Sequence, residues 1–168
     1  MAAWTISPIN ASLVGAATLV DVEDWCNNPY RDSAGLLTIG VGHLLTRSEL
    51  TSGKIMIRNR GVKWSSGVSD VNIMRLLVQD IAAQESLINS TVRVQLAQYQ
   101  FDALLLFAFN VGRTAFTNST LLRLLNFNQH SSIPEQLRRW IHAGGKVVEG
   151  LRNRREVEVA MWSGDYPA

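Results

Sequence analysis

The chain has 168 residues, 46% of them apolar and 18% charged, which is the composition of a folded globular protein and excludes disorder over most of its length. Sixteen basic residues against fourteen acidic ones leave a formal charge of +2, and the single cysteine, Cys26, excludes an intramolecular disulfide. No segment reaches the roughly 20 apolar residues that a membrane-spanning helix needs, and the weak apolar run from Ala11 to Val20 lacks the preceding positive charge of a signal peptide.

Ser7-Pro8 suits a helix start, because proline is tolerated in a first turn. Leu13, Ala16, Val20 and Glu23 then recur at helical spacing, which predicts a carboxylate at the end of an apolar stripe and places Cys26 one turn beyond it. Free cysteine is usually a small buried hydrophobe, and that is the reading for Cys26. Asn27-Asn28-Pro29 ends this helix, since the residue before a proline avoids the α region. From Tyr30 to Leu45 the pattern is that of a small hairpin or meander, with a turn at Ser33-Ala34-Gly35. Alternation over residues 37–43 puts Thr38, Gly40 and Gly42 on one face and Leu37, Ile39, Val41 and His43 on the other. Glycines on one strand face allow close approach by a ligand or by another backbone.

Residues 51–60 read as a short helix and 61–67 as a loop. Ser69 then N-caps a helix to about Asn89, with Ile73, Leu76, Leu77, Ile81 and Ile88 on its apolar side. Residues 95–111 are apolar almost all round (Leu96, Phe101, Leu104, Leu105, Phe107 and Phe109), the mark of a buried central helix, and Gly112 is placed to end it. Further helices are expected near 117–127, 134–143 and 150–163. The resulting fold class is α+β and mostly helical. A small hairpin-bearing N-terminal lobe (12–68) is followed by a long connecting helix (69–90) and a helical C-terminal lobe (91–168) within one domain.

Basic residues cluster from Arg138 to Arg155, where Arg138, Arg139, Lys146, Arg152, Arg154 and Arg155 stand against one acid, Glu149. Such a stripe is either a solvated helix face or a surface for a polyanion such as a cell wall, a lipid headgroup layer or a nucleic acid. Aromatic residues do not interleave it, which argues against nucleic acid. No metal-ligand spacing occurs, and no metal or other cofactor is expected.

Glu23 and Asp32 are two carboxylates nine positions apart that bracket a helix end and a hairpin. Glycoside hydrolysis commonly employs two carboxyl groups flanking the scissile bond, one of them kept protonated by an apolar setting. Glu23, on its apolar stripe, fits the acid, and Asp32, in a polar turn, fits the ionised partner. The string Glu23-(six residues)-Tyr30-Arg31-Asp32-(two residues)-Gly35-(two residues)-Thr38-Ile39-Gly40-Val41-Gly42-His43 resembles the active-site signature of phage lysozymes, the endolysins of glycoside hydrolase family 24. Three further segments agree in order: Asp80, then Gln100 to Leu104 with Phe107 to Gly112, then Gly150-Leu151 with Arg154-Arg155-Glu156. The resemblance spans about residues 12–166.

That resemblance implies a lysozyme-like fold and cleavage of the β-1,4 link between N-acetylmuramic acid and N-acetylglucosamine in peptidoglycan. Glu23 would be the general acid, and Asp32 and Thr38 would position or activate a water on the opposite face of the sugar, an inverting arrangement. Gly40, Gly42 and Asn110 are the candidate substrate contacts, with a helix C-cap as the other reading of Asn110. His43 and Asp80 are expected to form a stabilising ion pair, and an arginine of the terminal cluster, Arg154, to reach Glu23. One departure from the family pattern is Asp24, where glycine commonly follows the catalytic glutamate; the expectation is that it points to solvent. The implied protein is a monomer made in the host cytoplasm that acts on the wall after release, without nucleic acid and without stable membrane insertion. Two other functions fit parts of the pattern. One is a lytic transglycosylase on the same substrate, and the other is a cationic membrane-perturbing protein acting through its basic helices.

Overall fold

A computed structural model describes residues 8–23, 25–32 and 35–165. It comprises two compact units, one of residues 18–82 and the other of the described residues 8–17 and 83–165. Two helices, α1 (Leu13–Val22) and α3 (Asp70–Thr91), run from one unit into the other.

Helix α1 starts at Leu13, later than Ser7-Pro8 predicts; Ser7 lies outside the described residues. The cause is Ser12, whose hydroxyl accepts the amide of Gly15 at 3.0 Å and so caps the first turn. Ser12 is held in turn by Asp102, a buried carboxylate that accepts the Ser12 hydroxyl at 2.6 Å and the Ser12 amide at 3.0 Å. The buried side of α1 carries Gly15, Thr18 and Leu19, whereas Leu13 is 91% exposed. The stripe Leu13, Ala16, Val20 and Glu23 therefore runs along the flank of the helix and not down its buried face. Helix α1 also ends sooner than Asn27-Asn28-Pro29 implies, and Cys26 belongs to a strand.

In the unit of residues 18–82, three antiparallel strands lie in the order β1 (Trp25–Arg31), β2 (Leu37–Val41) and β3 (His43–Leu44). Trp25 pairs with Val41 and Cys26 with Gly40, then Tyr30 with Thr38, so four steps of β1 face only two of β2. Asn27-Asn28-Pro29 thus forms a bulge, one of the few places where a strand accepts proline. The bulge is tied down from outside the sheet. The Asn27 carbonyl accepts the Val68 amide at 2.8 Å, and its side-chain amide donates to the Val68 carbonyl at 2.9 Å and to Asp70 at 2.5 Å, fastening β1 to the start of α3.

Residues 47–63, read from sequence as a helix over 51–60 and a loop, form instead a short helix α2 (Arg47–Ser52) and a hairpin of β4 (Lys54–Ile57) and β5 (Arg60–Lys63). Thr46 and Glu49 make a capping box at the start of α2, and Gly53, left-handed at φ +68°, stops it. Ile55 and Ile57 point inward while Met56 is exposed. The two-residue turn places both Arg58 and Asn59 at positive φ, which is type I′ geometry.

The other unit is helical around α4 (Gln98–Thr117), whose Phe101, Leu104, Leu105 and Phe107 are fully buried. At Gly112, with φ +80° and ψ 164°, the backbone leaves helical geometry, so the first helical run of α4 ends there as expected and a second continues to Thr117 across a kink. Helices α5 (Thr120–Asn126), α6 (Ile133–Arg138) and α7 (Glu149–Ser163) surround it. A two-stranded ribbon, β6 (His142–Ala143) with β7 (Lys146–Val147), replaces the end of the helix expected over 134–143. Phe107 packs edge-on against Phe116 and Trp140, at 6.3 and 5.4 Å between ring centroids.

Candidate active site

Glu23 and Asp32 flank β1 in the chain, and Thr38 lies on its partner strand β2. Glu23, half-buried, is the first residue after α1, and its amide still donates to the Leu19 carbonyl at 3.0 Å, which continues the helical ladder by one residue. Its neighbour Asp24 lies outside the described residues. Asp32 stands at the far end of β1, at the turn into β2. The turn is built on Asp32 itself: its amide donates to the Leu36 carbonyl, its carbonyl accepts the Gly35 amide, both at 2.9 Å, and its Oδ1 accepts the Leu36 amide at 2.8 Å. Gly35 adopts φ +80°, which glycine supplies without a Cβ penalty, and Arg31 donates to its carbonyl at 2.7 Å. The turn expected at Ser33-Ala34-Gly35 is seen at Gly35; Ser33 and Ala34 lie outside the described residues.

Thr38 occupies the central strand between Tyr30 and Leu44 and is 3% exposed. Its hydroxyl donates to the Leu36 carbonyl at 3.2 Å. Leu36 therefore links the two polar side chains of the hairpin, through its amide to Asp32 and through its carbonyl to Thr38. The bulge matters to the spacing of the carboxylates. Six residue steps along β1 from Trp25 to Arg31 match four steps of β2, a span of about 13 Å at strand rise. Without the bulge the same residues would span about 20 Å.

The regular alternation expected over 37–43 stops at the glycines. Gly40 and Gly42 take φ of +68° and +67°, which side-chain-bearing residues adopt at a cost, and Gly42 forms the turn between β2 and β3. A Cβ at Gly40 would meet Ile73 at 3.4 Å, so this glycine lies against α3. Gly40 thus has backbone and packing reasons, and Gly42 a backbone reason, for being glycine, and the regular alternation expected with Thr38 is interrupted there.

His43 Nδ1 lies 2.8 Å from Asp80 Oδ2, and its Nε2 lies 3.3 Å from both oxygens of Glu49. Burial on its own would lower the His43 pKa. The hydrogen bond and charge of Asp80, with the charge of Glu49, outweigh it and hold the imidazole above its ordinary 6.5. Sequence reasoning missed Glu49. Its signal was the capping-box pattern Thr46-x-x-Glu49, in which the same carboxylate accepts the Thr46 amide and hydroxyl at 2.8 Å each.

In the helical unit, Asn110 is exposed, and its Oδ1 accepts a hydrogen bond from Arg155 Nη2 at 2.8 Å. Arg155 is fully buried, donates also to Glu158 at 2.8 Å, and sits 5.2 Å from the centre of the Phe107 ring. Arg154, 9% exposed, has its Nε 3.7 Å from the same Glu158 carboxylate. The basic stripe is largely compensated, because Arg138 pairs with Glu156, Arg139 with Glu135, and Arg152 with Glu149. Those acids lie on neighbouring turns or helices, several of them outside the window in which only Glu149 was visible. Among the described residues no cluster of histidine, cysteine or acidic side chains is arranged to hold a metal ion, and no helix is long and apolar enough to cross a membrane.

A mostly helical α+β fold, with Glu23 just before and Asp32 just after a bulged strand, is the setting of the candidate site, and comparison with known proteins assigns its class, a glycoside hydrolase of the lysozyme kind. The phage lysozyme family model matches residues 20–158. The chain is 40% identical over 146 residues to the SAR-endolysin of Escherichia phage Mu, covering 87% of this chain and 77% of that one. It is 36% identical over 133 residues to the endolysin of Salmonella phage P22, covering 79% and 84%. Among solved structures, the endolysin from Escherichia coli O157:H7 phage FAHEc1 superposes with a TM-score of 0.76 at 25% identity, covering 97% of this chain and 99% of that one. The chain belongs to the phage lysozyme family. It is a peptidoglycan hydrolase, a muramidase.

Proposed function

We propose that the chain cleaves the β-1,4 bond between N-acetylmuramic acid and N-acetylglucosamine with inversion, using Glu23 as general acid and Asp32 and Thr38 to hold and activate the attacking water. The observation that carries this reading is the Leu36 bridge. Because the Thr38 hydroxyl proton is committed to the Leu36 carbonyl, its lone pairs are left to accept a hydrogen from water. Because Leu36 N–H fixes Oδ1 of Asp32, the carboxylate is held in one orientation at the same end of the hairpin. In the reaction, Glu23 gives its proton to the glycosidic oxygen as the C1–O bond breaks. Water adds to C1 from the opposite face, and Asp32 takes the proton that the water loses. Asp32 then returns that proton through solvent to regenerate the acid. An inverting site needs carboxyl groups roughly 6.5–9.5 Å apart to admit the water, and the shortening of β1 by its bulge supports such a spacing.

We read the protein as a monomer made in the host cytoplasm that meets its substrate on the cell wall. His43, Asp80 and Glu49 serve to fix the hairpin, and Arg154 and Asn110 to support the helical unit. Time-resolved NMR of the first product tests the mechanism. The new reducing end is expected as the α-anomer, whereas a β-anomer denotes retention and a 1,6-anhydro end denotes a transglycosylase. Thr38→Ala is expected to lose at least about a hundredfold in kcat, in the range of a lost acid–base or water-positioning group, with the same anomer formed.

A further inference from the structure

The helical unit contains a cavity of about 640 Å³ that none of the motif residues line. It lies between the C-terminal end of α3, the last turn of α4, and α5, and its walls include Arg93, Thr120, Arg123, Asn126 and Phe127. Its size falls within the range of small-ligand sites.

Three features bear on what it could bind. First, its lining holds two arginines and no acid, and among the described residues neither arginine has a carboxylate partner. By contrast, Arg138, Arg139, Arg152, Arg154 and Arg155 all do. Second, the walls are fixed before any ligand arrives. Asn126 accepts the Arg93 amide at 2.8 Å and donates to the Thr91 carbonyl at 2.9 Å, tying α5 to the end of α3. Ser119 caps α5 through the Leu122 amide at 3.0 Å. Third, Phe127 is 73% exposed at the rim.

We propose that this cavity is a second wall-binding site, in which Arg93 and Arg123 engage the carboxylates of a peptidoglycan peptide stem. The proposal rests on the protein acting on peptidoglycan, and not on the assignment of Glu23, Asp32 and Thr38. Planar guanidinium groups match carboxylates two bonds at a time, and every uncleaved stretch of the polymer presents stem carboxylates at regular intervals. A rigid pocket with two uncompensated cations binds such a group at little ordering cost. Phe127 offers its apolar face to the alkyl part of the same stem. A site of this kind keeps the enzyme on an insoluble substrate between cuts, so it contributes to KM and not to the chemical step.

The test compares the parent protein with the Arg93→Ala/Arg123→Ala double variant on two substrates: intact sacculi, and glycan strands stripped of their stems by an amidase. On sacculi the variant is expected to show KM raised about tenfold with kcat unchanged, the loss of roughly one charge-assisted contact. On stripped strands the two proteins are expected to be equal. A soluble stem tripeptide should inhibit the parent on sacculi and leave the variant unaffected. Equal loss on both substrates, or no loss on either, overturns the proposal. So does a defect that disappears when phosphate-bearing wall polymers are removed and the stems are kept, since the ligand is then a phosphate. Both arginines are exposed, so the variant folds; an unchanged unfolding midpoint checks this. If the parent itself cleaves neither substrate, the muramidase assignment fails instead of this one.

Discussion

Gly15 sits in the first turn of α1, where helix propensity alone favours alanine over glycine by at most about 1 kcal/mol. The structure opposes that gain. A Cβ on Gly15 would lie 2.7 Å from both Cγ and Oδ1 of Asp102 and 2.9 Å from its Cβ. Asp102 is 3% exposed and cannot swing aside, because it holds the Ser12 hydroxyl and amide and the Gln98 side chain at 2.6, 3.0 and 3.1 Å. Overpacking of a buried site costs about 1–3 kcal/mol, and loosening one carboxylate hydrogen bond adds about 1 kcal/mol or more. Gly15→Ala is therefore expected to destabilise by about 1–3 kcal/mol net, read from the midpoint of urea unfolding at constant m-value. In an Asp102→Ala background two of the three clashing atoms are gone, and the penalty should shrink or change sign, giving a coupling of more than about 1 kcal/mol. If Gly15→Ala stabilises the parent protein by about 1 kcal/mol, the close packing of α1 on Asp102 is refuted.

Other consequences can be measured separately. Gly40→Ala should lose about 1–2 kcal/mol for its left-handed φ of +68°, with the contact to Ile73 adding to it, in the same unfolding assay. Arg155→Ala, which removes the nearer of the two arginines on the fully buried Glu158, should cost about 3 kcal/mol, the lower end for a broken buried pair because Arg154 remains. Arg138→Ala should cost under about 1 kcal/mol, because its partner Glu156 is half exposed and solvent screens the pair. The raised pKa of His43 makes the protonated pair with Asp80 a source of stability that is complete below about pH 6.5, the unfolded value, and is lost as pH rises through the folded value. Thermal unfolding from pH 5.5 upward should show this decline, and Asp80→Asn should flatten it; an equal slope in both proteins contradicts the pairing.

The long helices were legible because twenty residues of apolar periodicity outweigh local accidents: Ile73, Leu76, Leu77 and Ile88 are all buried in α3. Short elements depended on signals that compete. Asn27-Asn28-Pro29 carries the residues of a helix stop, and only the register between β1 and β2 turns it into a bulge. The β4–β5 hairpin turns on Arg58-Asn59 where Asn-Gly is the common pair, so its local chemistry is muted, and the run Ile55-Met56-Ile57 is apolar throughout, so the alternation of its burial is seen only in the structure. In the candidate site, the order of Glu23, Asp32 and Thr38 was visible in the motif. The Leu36 bridge was not, since it consists of main-chain groups that no sequence pattern marks. The apolar setting inferred for Glu23 came from a stripe whose first member, Leu13, faces solvent, so that argument does not stand and the motif carries the assignment. Asp102 and Arg155 escaped because their partners Ser12 and Asn110 lie 90 and 45 positions away in the chain.

The assignment of Glu23 is tested most directly by turnover of purified peptidoglycan by Glu23→Gln, with folding verified by its unfolding midpoint. The glutamine keeps the shape of the side chain and cannot donate the proton that cleavage requires, so reducing-end release should fall at least about a thousandfold, within the span expected for a lost general acid. Release within tenfold of the parent, from a folded variant, would contradict the account and move the acid to another residue.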